Sequence, residues 1–359
     1  MNGTAAHPVA SPDATTDSSS AFWQAVYDRL AAAPSLQAMQ AHGVELLESH
    51  RRRVFGEHVP DELVTIERTA NLVSLAAPAV LQRIRELHEG PLVLIKGPEL
   101  ALLYPGLARS FGDLDLIVDD ARGLQDRLLA AGFIEINDPD RYVDIHHLRP
   151  VMWPALPIKI ELHTRPKWPD GFTPPPTAEI LEAAVPARSA PEGILTASPE
   201  HHAVMVAAHG WAHVPLRRLR DIIDTMVLAA IADERAADDL ARRWEVDRIW
   251  HTTIRAGREL VAGESPSFPA RTWARHLPKV RERTVLEAHL ERLLSPFSSL
   301  PPGRALARTL REIRADFSPA EGETWADKGR RTVLAVRHAF TPRSKHDEAL
   351  GEASTRHRS

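Results

Sequence analysis

The sequence contains no cysteine. Neither a disulfide framework nor a thiolate metal site can hold such a fold together, and nothing implies an oxidising compartment, so a cytoplasmic location is the default expectation. No apolar run approaches the roughly 18 residues that a membrane-spanning helix requires, and no membrane partner is expected. The first twenty residues, MNGTAAHPVASPDATTDSSS, lack the basic, then apolar, then small-residue order of a secretory signal and read as a disordered leader. Lysine is scarce: Lys96, Lys159, Lys167, Lys279, Lys328 and Lys345 stand among 44 basic residues. An arginine stripe, Arg304, Arg308, Arg311 and Arg314, has no aromatic interleaving and reads as a solvated face. With a net charge of −4, nucleic acid is not an expected partner. Residues 271–359 carry 18 Lys+Arg against 11 Asp+Glu, a basic end that either meets an acidic partner, docks on the acidic body or is simply solvated.

What is present suffices for a sizeable core: 359 residues, 43% of them hydrophobic, with room for two or three domains. Residues 21–90 carry three-and-four apolar spacing, as in AFWQAVYDRLAAA and ANLVSLAAPAVLQRIRELHEG, and predict a helical preface. From Pro91 the pattern changes. LVLI reads as a strand, GPELALLYPG as a short helix, DLDLIV as a strand and DARGLQDRLLAAGF as a helix closed by Gly132; FIEI, YVDIHHLRPVMW and LPIKIELHT follow as strand candidates. Residues 91–165 therefore predict a small α/β domain with a mixed sheet. Residues 166–197, which open on a proline-dense run, read as a linker or wrapping loop. Ser198 and Pro199 suit the N-cap and first position of a helix, Pro215 suits the start of the next, and a larger helical lobe is expected over 198–340, followed by a disordered tail over 341–359.

The chemistry is suggested by alternation. In a strand, Leu114, Leu116 and Val118 share one face while Asp113 and Asp115 share the other. LPIKIELHT repeats the arrangement, with Ile158, Ile160 and Leu162 on one face and Lys159, Glu161 and His163 opposite. If these strands are neighbours, Asp113, Asp115 and Glu161 converge. Close carboxylates raise one another's pKa and are tolerated mainly where a cation neutralises them. Oxygen ligands without cysteine favour magnesium, whose shell is usually completed by substrate phosphates. An Asp-x-Asp pair on an exposed edge strand can equally be no more than solvated.

The order of parts narrows the choice: Lys96 and Gly97 at a strand end, a short helix, Arg109 and Ser110, Asp-Leu-Asp, then Glu161 on a later strand. LIKGPELALLYPGLARSFGDLDLIV, with IELHTRP and the later HGWAH and LRRLRDI, resembles a family of uncharacterised bacterial nucleotidyltransferases within the polymerase-beta-like nucleotidyltransferase superfamily, over roughly residues 75–230. The resemblance implies magnesium-dependent transfer of a nucleoside monophosphate from a triphosphate to an unidentified small-molecule, peptide or protein acceptor. It implies Asp113, Asp115 and Glu161 as catalytic and metal-binding residues, with Gly97 close to the nucleotide and Lys96 and Arg109 facing the triphosphate. Many superfamily members have serine after the glycine; Pro98 stands here, and Ser110 is the candidate replacement. His209 and Asp221 are implied in a helical lobe closing over the acceptor or the nucleotide, though both also suit a buried helix, and Asp224 lies one turn from Asp221. His209 and His213 have the spacing of a zinc pair but lack the glutamate of His-Glu-x-x-His, and no zinc site is expected. Two alternatives remain open: a non-catalytic nucleotide-binding regulatory module, and a metal-dependent phosphohydrolase.

Overall fold

The computed structural model describes residues 13–137, 146–319 and 323–344. Four helices come first: α1 (Asp13–Ala31), α2 (Leu36–His42), α3 (Glu45–Val54) and α4 (Asp61–Glu86). Ser35 caps α2 by accepting from the Ala38 N–H, and Gly43 ends it at φ +67°, a left-handed position that glycine adopts without Cβ strain.

The sheet region follows as β1 (Leu92–Ile95), α5 (Gly97–Ala101), β2 (Asp113–Val118), α6 (Ala121–Ala130), β3 (Ile134–Glu135), β4 (Val151–Trp153), β5 (Leu156–His163), α7 (Thr177–Glu182), β6 (Val185–Pro186) and β7 (Leu195–Thr196). The seven strands lie in the order β3-β4-β5-β2-β1-β7-β6. β2 runs antiparallel to β1 and parallel to β5, so the sheet is mixed. The helical lobe comprises α8 (Pro199–His213), α9 (Leu219–Ala229), α10 (Glu234–Arg243), α11 (Asp247–Ala262), α12 (Phe268–Thr272), α13 (Val285–Leu294), α14 (Pro296–Ser299), α15 (Pro302–Phe317) and α16 (Trp325–Arg337). This is an α/β core joined to a larger helical lobe. Among the described residues no helix is long and apolar enough to cross a membrane.

Both sheet faces are covered, and alternation decides what each receives. Leu92, Leu94, Leu114, Leu116, Ile160 and Leu162 form one core with α4 and α6. Val93, Ile95 and Ile117 face the other way and join a second core with α8, α9 and α11. The polar positions of β2 and β5 therefore lie on the side of the helical lobe. α8 begins as its sequence suggests, with Ser198 capping and Pro199 in the first turn.

Three features differ from the sequence reading. The stretch read as a linker supplies α7, β6 and β7, and β7 extends the sheet by pairing parallel with β1. Pro215 does not open the next helix: Leu216 takes φ +50°, which no right-handed helix admits, and α9 starts at Leu219. α1 already runs from Asp13, inside the stretch read as leader. Residues 1–12, most of the tail from 345 onward, and the 142–145 part of the YVDIHHLRPVMW strand candidate lie outside the described residues.

Candidate functional site

The parallel register of β2 and β5 sets Asp113 beside Lys159, Asp115 beside Glu161 and Ile117 beside His163. A shift of one residue would have turned Glu161 to the opposite face. Asp115 and His163 are buried, Glu161 is half-buried, and Asp113 lies at the rim with a side chain 39% exposed. One donor atom from each of Asp115, Glu161 and His163 falls within 4.8 Å of the others. His163 shares the strand face of Glu161, and this alternation was the signal that could have assigned it to the site.

Asp115 is held on both oxygens. Its Oδ1 lies 2.7 Å from His163 Nε2 and its Oδ2 lies 3.4 Å from Lys96 Nζ. Burial acts to raise its pKa, yet the Lys96 charge and the His163 hydrogen bond outweigh that and hold it well below the usual carboxylate range. Asp113 is pushed up by burial and by the Asp115 charge; Lys159 Nζ stands 4.0 Å away. Glu161 is pushed up by burial and by Asp115 and Asp113, with His147 Nε2 3.5 Å from its Oε2. Two of three carboxylates are thus disfavoured as anions, first by burial and then by their neighbours' charge, and a cation would offset both. Carboxylate oxygens with one imidazole nitrogen suit a divalent ion. His163 Nδ1 is a buried polar atom with no hydrogen-bond partner, a further sign that the polar demands of this cluster are unmet by protein alone.

Lys96 occupies a strained turn between β1 and α5, with φ +57° and ψ −135°. Its N–H donates to His202 Nε2 at 2.9 Å, and its Nζ lies 3.1 Å from His209 Nδ1. His202 and His209 are seven residues apart on α8, two helical turns along one face, so a single helix braces both ends of this lysine. Burial first, then the Lys96 charge, lowers both histidines, His202 to about 3 and His209 well below the ordinary range. Gly97 follows at φ +42°. A void of about 10 Å³, room for about one water, lies between Lys96, His163, Lys167, His202 and His209.

Other expected site residues are not brought to the carboxylates. Arg109, expected to face a triphosphate, is buried and binds Asp224 through Nε at 2.7 Å and Nη2 at 2.9 Å. Tyr104 donates to the same Asp224 at 2.6 Å. The reason is that α9 brings a buried carboxylate to the segment before β2, where an unpaired guanidinium could not remain. Ser110 Oγ donates to Glu45 at 3.1 Å. Asp221, the other α9 carboxylate, is pushed up by burial despite nearby Arg220 and packs against Gly210 of α8. Lys167, in the proline-rich segment, had no periodicity to mark it, yet its Nζ reaches His213 Nε2 at 2.9 Å.

Residues 21–262 match the family described as uncharacterised nucleotidyltransferase. The chain belongs to this family. The match takes in α1 from residue 21 onward, α2 to α4, the whole sheet and the lobe as far as the end of α11, while α12 to α16 lie beyond it. No curated protein matches the sequence. Family membership makes a nucleoside triphosphate the implied substrate class and places the carboxylate pair of β2 and β5 within the matched region.

Proposed function

We propose that the protein is a magnesium-dependent nucleotidyltransferase, moving a nucleoside monophosphate onto a hydroxyl- or phosphate-bearing acceptor and releasing pyrophosphate. The observation that carries this reading is the register that sets Asp115 directly beside Glu161 on adjacent parallel strands. Asp113, Asp115 and Glu161 would hold the cation, with His163 within reach as a nitrogen donor or as the group that orients Asp115. A divalent ion bound there supplies charge neutralisation at the attacking and leaving oxygens of the transfer. Lys96 sets an ammonium beside Asp115, where it can meet negative charge growing on the departing pyrophosphate. Where it does not ligate the cation, Glu161 is the group to take the acceptor's proton, since burial and the neighbouring carboxylates raise its proton affinity. α8 packs on the same face of the sheet and brings His209 to Lys96.

The test is incubation with each α-labelled nucleoside triphosphate and magnesium or manganese, alone and with fractionated small molecules and proteins, scoring pyrophosphate and labelled acceptor. Label transfer that disappears in Asp115→Asn supports the reading. Release of labelled monophosphate without labelled acceptor would make the protein a phosphohydrolase. One observation favours the binding-module alternative: Pro98 lacks an N–H and the Lys96 N–H is taken by His202, so this turn offers little backbone to a phosphate. Nucleotide binding without any pyrophosphate release would establish that alternative.

A further inference from the structure

We propose that Lys167 is a second phosphate-binding cation of this site, beside Lys96, and that its ligand is the polyphosphate of a nucleotide. The inference deepens the nucleotidyl-transfer reading and rests on it for the nucleotide, though not for the anion.

The argument begins with the groups that are already committed. The turn after β1 has lost two backbone donors, one to His202 and one to Pro98. Arg109 is fully engaged by Asp224 in a buried pair. Lys96 is shared between Asp115 and His209. Lys167 differs from all of these. Among the described residues no carboxylate lies within 4.0 Å of its ammonium, and its hydrogen-bond partner is His213, at 3.0 Å from Nδ1 and 2.9 Å from Nε2. An imidazole carries no negative charge, so His213 supplies no counter-charge to this ammonium.

The location is the second part of the argument. Lys167 lines the same small void as Lys96, His163 and His209, on the lobe side of the carboxylates. Two half-buried ammonium groups therefore flank one recess with a single carboxylate contact between them, the Asp115 oxygen on Lys96. A half-buried, unpaired ammonium is costly, and an incoming polyanion removes that cost. Consistent with this, burial and the Lys96 charge hold the Lys167 amine below its ordinary range even though Glu161 and Asp115, beyond ion-pair distance, act to raise it. The void itself admits only about one water, so the anion meets Lys167 from its solvent-exposed side, where His213 is open. Position 167 lies two residues before Pro169 in a proline-dense segment, and the restricted backbone limits the entropy lost when this lysine is ordered around a ligand.

The experiment uses inorganic tripolyphosphate, titrated calorimetrically into the full chain and into Lys167→Gln, Lys167→Arg and Lys159→Gln. Lys159 controls for charge, since it lies near the same carboxylates but is paired, at 4.0 Å from Asp113. The expected result is a loss of about tenfold or more in Lys167→Gln, retention in Lys167→Arg, and a loss of less than about threefold in Lys159→Gln, corresponding to one charge-assisted contact. Unchanged melting temperatures establish that each variant is folded. Lys167→Gln binding as tightly as the parent, equal losses in both glutamine variants, or no tripolyphosphate binding by the parent would each overturn the inference. Lys167-dependent binding in a parent that transfers no label would leave this inference standing and remove the transferase reading. Label transfer and anion binding that both ignore Lys167→Gln would do the reverse.

Discussion

Arg109 and Asp224 lie 115 positions apart, yet they meet through two hydrogen bonds of 2.7 and 2.9 Å in the interior. The pair ties the segment between α5 and β2 to α9, and Arg109 also donates to the Gly97 carbonyl at 3.4 Å. It therefore secures the turn that carries Lys96 without touching the carboxylates. Replacing Arg109 with Met leaves Asp224 buried with Tyr104 as its remaining donor, and is expected to cost about 3–5 kcal/mol. Urea unfolding checks this. The double variant Arg109→Met/Asp224→Leu is expected to recover much of the loss, because no buried charge is then left alone.

Asp115→Asn and Asp113→Asn are expected to abolish metal-dependent label transfer while the protein stays folded. Asp113 is raised by burial and by its neighbour, so removing its charge relieves repulsion and the melting temperature should hold or rise. Retained turnover in both variants would remove the metal assignment.

Glu161→Gln separates two roles. As the acceptor's base, Glu161 contributes roughly 10² to 10⁴ in rate, and its loss should leave nucleotide affinity nearly unchanged. Single-turnover kinetics alongside equilibrium nucleotide binding checks this. Weakening of nucleotide and metal together would mark a ligand rather than a base.

His202 predicts a pH effect on stability. Its folded pKa is about 3 against roughly 6.5 unfolded. Between these values the unfolded chain binds a proton that the folded chain does not, so stability falls as pH falls from 6.5 towards 3, by about 1.4 kcal/mol per pH unit for this group. Gln in its place can still accept from the Lys96 N–H and cannot titrate. The slope of unfolding free energy against pH between 6 and 4 should therefore be shallower in His202→Gln by about that amount. Parallel slopes would show that His202 is not buried as a neutral ring.

The sequence by itself determined the features that depend on local periodicity. Alternation in DLDLIV and LPIKIELH sorted Asp113, Asp115 and Glu161 from the apolar set, and the neighbouring strands sit in the register that brings Asp115 to Glu161. The same alternation exposed His163, although its role became visible only once its Nε2 was seen at 2.7 Å from Asp115. Ser198 and Pro199 marked the start of α8 because capping is a matter of adjacent residues. Only the tertiary structure decided which partners Arg109, Ser110 and Lys167 meet. A long cation or a hydroxyl takes the partner that packing brings within about 3 Å, and for Arg109 that partner rides on a helix more than a hundred residues away. β7 was hidden for a related reason: two residues carry no readable period, and their pairing with β1 follows from where the chain returns after the proline-rich segment.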